Sequence, residues 1–315
     1  MTLSTRRLLR FAVAFTLVGY LIQSVPADEL IGTLGRAHPT GIVLALVLAL
    51  ASHLVIAERI RCVTQALGLV LPFWALFKIN LSAVFYGLAL PAGNLSGVAA
   101  RLYQMARAGG QYAEPAVALT LERLVATVTL GAIGVVFWFA DPLADVWPVL
   151  LLMLAATLGF AALQLAIFQP LPLITPLWQW LVGRWPRKLA PLRDAMERAR
   201  SMPWRISIQL LGLGIVVHLI GIAAYGAVAW SLDLELSVSM IGWTRSAAIL
   251  VAILPVSVAG LGLREGALVV LLAPYGIDGA SAVAYGLLAF ATTIFGMAVV
   301  GGVIEGRRWL ATSTS

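Results

Sequence analysis

The sequence is poor in charge, in histidine and above all in cysteine. Charged residues make up 11% of its 315 positions, there are three histidines, and Cys62 is the single cysteine. One cysteine forms no internal disulfide, and no Cys/His spacing marks a metal site, so neither a metal nor any other cofactor is expected. Cys62 reads as a small apolar filler. Also missing are a Gly-x-x-x-x-Gly-Lys-Ser/Thr phosphate loop, a His-Glu-x-x-His helix, a Gly-x-Ser-x-Gly elbow and a soluble catalytic domain. These absences argue against ATP-driven pumping by this chain alone and against an enzyme, although an intramembrane transferase stays open as a third reading.

What fills the space is apolar. Hydrophobic residues reach 61%, far above the balance of a soluble domain, and they gather in runs near 8–25, 40–57, 115–140, 147–168, 206–230, 240–258 and 280–304. A run of roughly 20 residues crosses a hydrocarbon core of about 30 Å. Shorter runs cover 73–90 and 264–275. Residues 1–27 imitate a cleavable signal peptide, with Arg6, Arg7 and Arg10 before a short apolar run and Val25-Pro26-Ala27 after it. A retained first helix is the preferred reading, since the apolar remainder needs an inserting span.

The net charge of +7 follows membrane topology and does not indicate nucleic acid. Arg6, Arg7, Arg10, Arg59, Arg61, Arg101, Arg107 and the basic residues of 184–205 fall at one set of span ends. Asp28, Glu29, Asp141, Asp145, Asp233, Glu235 and Asp278 fall at the other. The positive-inside rule then places both termini in the cytoplasm of an inner-membrane protein. Arg61 and Arg101 on the same side, with one apolar run between them, require a re-entrant hairpin: 73–90 entering, Pro91 to Gly97 turning at membrane depth, and 98–108 returning.

Residues 169–205, with Pro170, Pro172, Pro176 and Pro203, divide a single membrane domain, 1–315, into halves 1–168 and 206–306. Within the divider, Leu189, Leu192, Met196, Ala199 and Met202 recur at helical spacing opposite charged residues. This predicts either an amphipathic helix on the inner leaflet or a solvated linker.

Two stretches break the apolar pattern alike: Leu90-Pro91-Ala92-Gly93-Asn94-Leu95-Ser96-Gly97 running on to Arg101, and Leu254-Pro255 running through Gly260 and Gly262 to Arg264-Glu265. Backbone freed by proline and glycine is tolerated in a bilayer only where protein or a water-filled cavity satisfies it, and paired breaks in two halves point to a binding site and an inverted repeat. Arginine in hydrocarbon costs at least about 2.5–3.5 kcal/mol, so it faces a cavity or a partner. Guanidinium binds phosphate bidentately, which makes a lipid phosphate a suitable ligand for Arg101 and Arg264. The plain alternative for each is a snorkelling anchor.

Glu122-Arg123 lies several residues into a long apolar helix, where neighbours point about 100° apart. Each therefore needs a partner elsewhere: Glu122 from Arg101 or Arg264, Arg123 from Glu265 or a ligand phosphate, with a purely structural ion network as the competing reading. Lys78 and Arg245, early in their helices, read as snorkelling residues. His218 reads as a hydrogen-bonded packing residue, with a proton relay as the alternative. Asn94 and Ser257 offer amide and hydroxyl contacts to a headgroup, or satisfy freed backbone.

Leu90-Pro91-x-Gly93 with Gly97 and Arg101, Glu122-Arg123-Leu124, and Leu254-Pro255-x-Ser257-x-x-Gly260-Leu261-Gly262-x-Arg264-Glu265-Gly266 together resemble the flippase-like family related to the lysylphosphatidylglycerol synthase transmembrane region. The resemblance runs from the first helix to near residue 305. It implies a polytopic inner-membrane protein that moves or presents a charged or glycosylated lipid, with Arg101, Glu122, Arg123, Arg264 and Glu265 at the motif positions. No segment resembles the aminoacyl-transferase domain of the namesake enzymes, so lysyl transfer is not implied.

The expected protein is thus all-α and polytopic, with about eight transmembrane helices plus a re-entrant hairpin in two halves. Its expected role is to translocate or present an amphipathic lipid. The alternative is a membrane scaffold or subunit for a lipid-modifying enzyme. Nothing in the sequence speaks to oligomeric state.

Overall fold

The computed structural model describes residues 27–90, 93–109, 111–141, 146–168, 186–253 and 260–313, and these are helical throughout apart from turns and short connections. In chain order the helices are α1 (Ala27–Gly35), α2 (Pro39–Ala66), α3 (Phe73–Ala89), α4 (Asn94–Gly109), α5 (Ala113–Phe139), α6 (Trp147–Phe168), α7 (Pro186–Arg200), α8 (Trp204–Ser231), α9 (Val238–Ala252), α10 (Leu263–Leu272), α11 (Gly279–Phe290) and α12 (Gly296–Ser313). A 3₁₀ turn at Ala273–Tyr275 follows α10, and a π turn at Ala291–Phe295 joins α11 to α12.

Among the described residues, five helical stretches are long and apolar enough to cross a membrane: Pro39–Ala66, Ala113–Phe139, Trp147–Ile167, Trp204–Ser231 and Gly279–Leu310. Helices α3 and α9 are apolar but shorter. The chain is an all-helical polytopic membrane protein. The first expected span, 8–25, lies outside the described residues, as do Pro91, Pro255 and the proline-rich start of the 169–205 segment.

Helix ends are set by local chemistry. Pro39 opens α2, where its missing N–H costs no hydrogen bond. The Ser237 hydroxyl accepts from the Met240 N–H at 3.1 Å to start α9, and the Asp278 carboxylate accepts from the Ser281 N–H at 2.9 Å to start α11.

The short apolar runs fold as helical hairpins. At 1.5 Å per residue, the 17 residues of α3 extend about 25 Å, less than a full hydrocarbon core. Helix α4 turns back along α3 so closely that a Cβ on Gly97 would lie 2.5 Å from the Ala83 carbonyl oxygen, and Leu76 meets Met105 farther down the pair. Helix α10 returns along α9 in the same way, with Trp243 and Ala247 packed against Leu271.

The two halves interleave. Helices α2 and α8, each of 28 residues, run antiparallel: His38 N–H donates to the Ser231 carbonyl at one end, and Val63 and Leu67 share a core with Leu210 at the other. Each is followed by a hairpin, and each hairpin packs on the long helix of the opposite half. Helix α5 lies on α9 through Leu130, Trp138, Trp243 and Ala247, while α12 lies on α3, where a Cβ on Gly301 would meet the Leu81 carbonyl at 2.1 Å. This reciprocal packing supports an inverted repeat. Positions agree as well. His53 and His218 are each the fifteenth residue of α2 and α8, and Asn80 and Arg245 each the eighth of α3 and α9.

One expectation about the divider needs correcting. Helix α7 is amphipathic, but its apolar face is covered by protein and not by a leaflet: Leu192, Ala195, Met196 and Ala199 pack with Val63, Leu67, Val117 and Leu121. Arg198 Nη2 donates to Glu114 Oε1 at 2.5 Å, and Arg200 Nη2 to the Ile167 carbonyl at 3.2 Å, pinning α7 to α5 and α6.

Candidate functional site

A cavity of about 570 Å³ opens where the first hairpin meets α5 and the π turn. Val84, Leu88, Val98 and Ile294 supply apolar walls, while Arg101, Glu122, Arg123 and His53 supply charge and polarity. Val98, Thr120 and Arg123 are exposed and form its rim. The π turn brings Thr293 and Ile294 from the second half to a cavity otherwise built by the first. Such turns recur at functional sites, because the widened helix re-aims its side chains.

The polar base is a relay of side chains from four helices. Glu122, on α5, accepts from Arg59 Nη2 of α2 through Oε1, and its Oε2 lies 3.8 Å from Arg101 Nη1 of α4. Arg101 Nη2 donates to Asn80 Oδ1 at 2.5 Å, and Asn80 in turn meets His53 Nδ1 at 2.8 Å. The Asn80 oxygen is taken by arginine, so its amide nitrogen is the donor, and His53 presents a lone pair to it. Arg59 and Glu122 are 2% and 6% exposed.

Arg59 corrects the topology reading. Expected as an anchor at a span end, it is buried beside Glu122 and is the closest ionic partner of that carboxylate. The expected Glu122–Arg101 approach is present at 3.8 Å, whereas Glu122–Arg264 and Arg123–Glu265 are not formed. Glu122 and Arg123 do not pair with each other, in keeping with their divergent directions on the helix.

Arg264 and Glu265 lie apart from the described cavity. They pair with each other, Arg264 Nη2 to Glu265 Oε1 at 2.7 Å and Nε at 3.2 Å, while Glu265 Oε2 accepts from Gly262 N–H at 2.6 Å. Gly262 takes φ +84° before the first turn of α10, a conformation that favours glycine. The arginine side chain reaches across its neighbour because Glu265 is turned back to cap the helix. Arg264 also stacks over Phe290 at 5.2 Å. Beside this pair, Arg245 is no snorkelling residue: it is 8% exposed, sits 5.2 Å over the Tyr225 ring, and keeps Nε and Nη1 without an acceptor.

His218 donates from Nε2 to the Ala126 carbonyl at 2.9 Å, a bond between helices α8 and α5 that fits the packing role. Ser257 lies outside the described residues. Asn94 begins α4, and its side chain also lies outside them. Among the described residues no group of His, Cys, Asp and Glu side chains is placed to hold a metal ion.

Residues 7–301 match the family model described as the lysylphosphatidylglycerol synthase transmembrane region. The chain belongs to this family. No curated protein matches the chain closely. Family membership makes the chain a membrane lipid-related protein, and the match covers both hairpins and the cavity at the first of them.

Missed from the sequence were Arg59, Asn80, His53 and Thr293. A signal existed for Asn80, an amide in the middle of the apolar run 73–90. None existed for Thr293, which reaches the cavity only through the packing of α12 on α3.

Proposed function

We propose that this family member binds an amphipathic lipid, takes its phosphate-bearing or glycosylated headgroup into the cavity at Arg101 and Arg123, and passes or presents it across an inner membrane. The observation that carries this reading is the pairing of surfaces: apolar walls open to exposed Val98, above a base where arginines outnumber carboxylates. The chains of a lipid stay in hydrocarbon beside such walls, while its phosphate meets partners without which burial would be prohibitive. Both termini sit in the cytoplasm in this reading, from the distribution of arginine along the chain.

Chemistry on the lipid is not part of the proposal. Glu122, the carboxylate at the cavity, has both oxygens facing guanidinium groups and serves as a counter-ion. The test is headgroup accessibility in vesicles holding the purified protein and fluorescent phospholipid, with dithionite bleaching only the outer leaflet. Wild type bleaches the whole pool, whereas Arg101→Gln and Arg123→Gln, folded by thermal melting, bleach about half. Equal, complete bleaching by all three would sink the site. Saturable lipid binding without movement would favour the scaffold serving a lipid-modifying enzyme.

A further inference from the structure

His53 and His218 hold the same position in the two long helices, but their rings are used differently. His218 Nε2 donates to the Ala126 carbonyl at 2.9 Å, which closes that ring onto a neighbouring helix. His53 lines the cavity. Its Nδ1 meets the Asn80 amide at 2.8 Å, and its Nε2 has no hydrogen-bond partner among the described residues. Asn80 is 1% exposed and is not part of the wall, so the polar atom that His53 offers the cavity is Nε2.

Two links fix which ring nitrogen carries the proton. Arg101 Nη2 only donates, and it takes Asn80 Oδ1 at 2.5 Å, so the amide turns its nitrogen toward His53. That nitrogen donates to the Nδ1 lone pair, and the single proton of a neutral imidazole then sits on Nε2. Protonating Nδ1 as well would set N–H against N–H at Asn80. The chain from Arg101 through Asn80 therefore delivers an uncharged N–H to the cavity wall. Thr120 and Thr293, the other uncharged side-chain donors on the described wall, commit their hydroxyls to the Ala116 and Ala289 carbonyls at 2.8 and 2.6 Å.

Charged and neutral donors suit different atoms of a headgroup. Arg101 and Arg123 answer the phosphate in the reading above. The imidazole N–H is satisfied by an uncharged oxygen, which a hydroxyl beyond the phosphate presents and an alkyl group in its place does not. A site built to hydrogen-bond a ligand hydroxyl rejects the analogue that lacks it, because its own polar group is then left unpaired.

Resting on the lipid-binding reading, we propose that His53 reads a hydroxyl of the headgroup. Its Nε2–H donates to the hydroxyl oxygen of a phosphodiester whose headgroup is a polyol, and Asn80 is the positioning residue that keeps the proton on that nitrogen. The second half does not repeat the device, since Arg245 stands at the position of Asn80 there and a guanidinium has no oxygen to orient.

The experiment is competition binding on the purified full-length protein in phosphatidylcholine nanodiscs, with acyl-labelled fluorescent phosphatidylglycerol as the probe. Unlabelled phosphatidylglycerol should displace it at concentrations about tenfold lower than phosphatidylpropanol, which has the same charge and chains but no headgroup hydroxyl. His53→Leu should erase that preference by weakening phosphatidylglycerol alone. His53→Gln, whose amide nitrogen reaches the place of Nε2, should keep most of it. Thermal melting verifies that both variants are folded. Nitrogen NMR of histidine-labelled protein supplies the second readout: with three histidines in the chain, the His53 signals are those lost in His53→Gln. They should show a protonated Nε2 and a bare Nδ1, with Nε2 shifted by phosphatidylglycerol and not by phosphatidylpropanol, and Asn80→Leu should mix the two tautomers. Equal displacement by the two lipids in wild type, equal weakening of both by His53→Leu, or a proton on Nδ1 would each overturn the hydroxyl role and leave the lipid site standing. If the probe never saturates, or unlabelled phosphatidylglycerol does not displace it, the lipid reading itself fails and the His53 proposal with it.

Discussion

Arg59 of α2 and Glu122 of α5 form a buried ion pair at the base of the cavity, with the second carboxylate oxygen turned toward Arg101. Removing one member of such a pair strands the other charge. Glu122→Gln is expected to destabilise by about 3–5 kcal/mol, whereas the double change Arg59→Met with Glu122→Leu should recover most of the loss. Thermal unfolding in detergent of the single and double variants measures both. A double variant as unstable as Glu122→Gln would mean that the charges are worth more than their mutual compensation.

Gly97 sits where the first hairpin is tightest. Adding one methyl there puts carbon 2.5 Å from the Ala83 carbonyl, so Gly97→Ala is expected to cost about 1–3 kcal/mol through overpacking. Gly32, with nothing within 4 Å of an added Cβ, is the control at which the same change is tolerated. The two melting temperatures, compared side by side, decide it.

Arg245 and Glu265 should respond in opposite ways. Arg245 is buried over Tyr225 with two donors unsatisfied, so Arg245→Met should be neutral or stabilising. Glu265→Gln removes the charge that holds Arg264, and should lower stability by about 3 kcal/mol or more. A marked loss on Arg245→Met would show that the guanidinium has an acceptor in the membrane.

Asp278 caps α11 through the Ser281 N–H, and that bond holds its carboxyl below the ordinary aspartate range. A lowered folded-state value means that the contribution is full above the ordinary range and is lost as pH falls through the folded-state value. Asp278→Ala is therefore expected to cost about 1 kcal/mol near neutrality, and the difference from wild type should shrink on acidification below about pH 4. Melting curves across that range give the result.

The apolar runs located the starts of the long spans to within two residues, because a span needs length and hydrophobicity and both are local properties, but α2 runs on to Ala66, past the apolar run that ended at 57. The first hairpin was legible for the same reason: α3 is too short to cross, and Gly93 and Gly97 permit a close return. The second was not, because 240–258 reads as a full span while the helix there ends at Ala252. Partners were not legible. Arg59 looked like a topology anchor beside Glu58 and Arg61, and its burial depends on α5 passing α2 at that height. Arg245 looked like a snorkelling residue until α8 was seen to cover it. Periodicity in α7 correctly marked one face for burial, but periodicity does not say whether lipid or protein covers a face. The Arg264–Glu265 pair required knowing that Glu265 bends back to cap Gly262.

The π turn at Ala291–Phe295 has a consequence along the rest of its helix. A π turn holds one residue more than the α turn it replaces, and each residue advances an α-helix by about 100°. Deleting one residue from that turn would restore α-helical register and rotate everything from Gly296 onward by that angle. Glu305, which now accepts from Tyr86 at 3.1 Å and from Gln104 at 3.4 Å, would swing away from the first hairpin. The extra residue is a phase setting: it lets one continuous helix show Thr293 to the cavity and, three turns later, Glu305 to the hairpin that walls it.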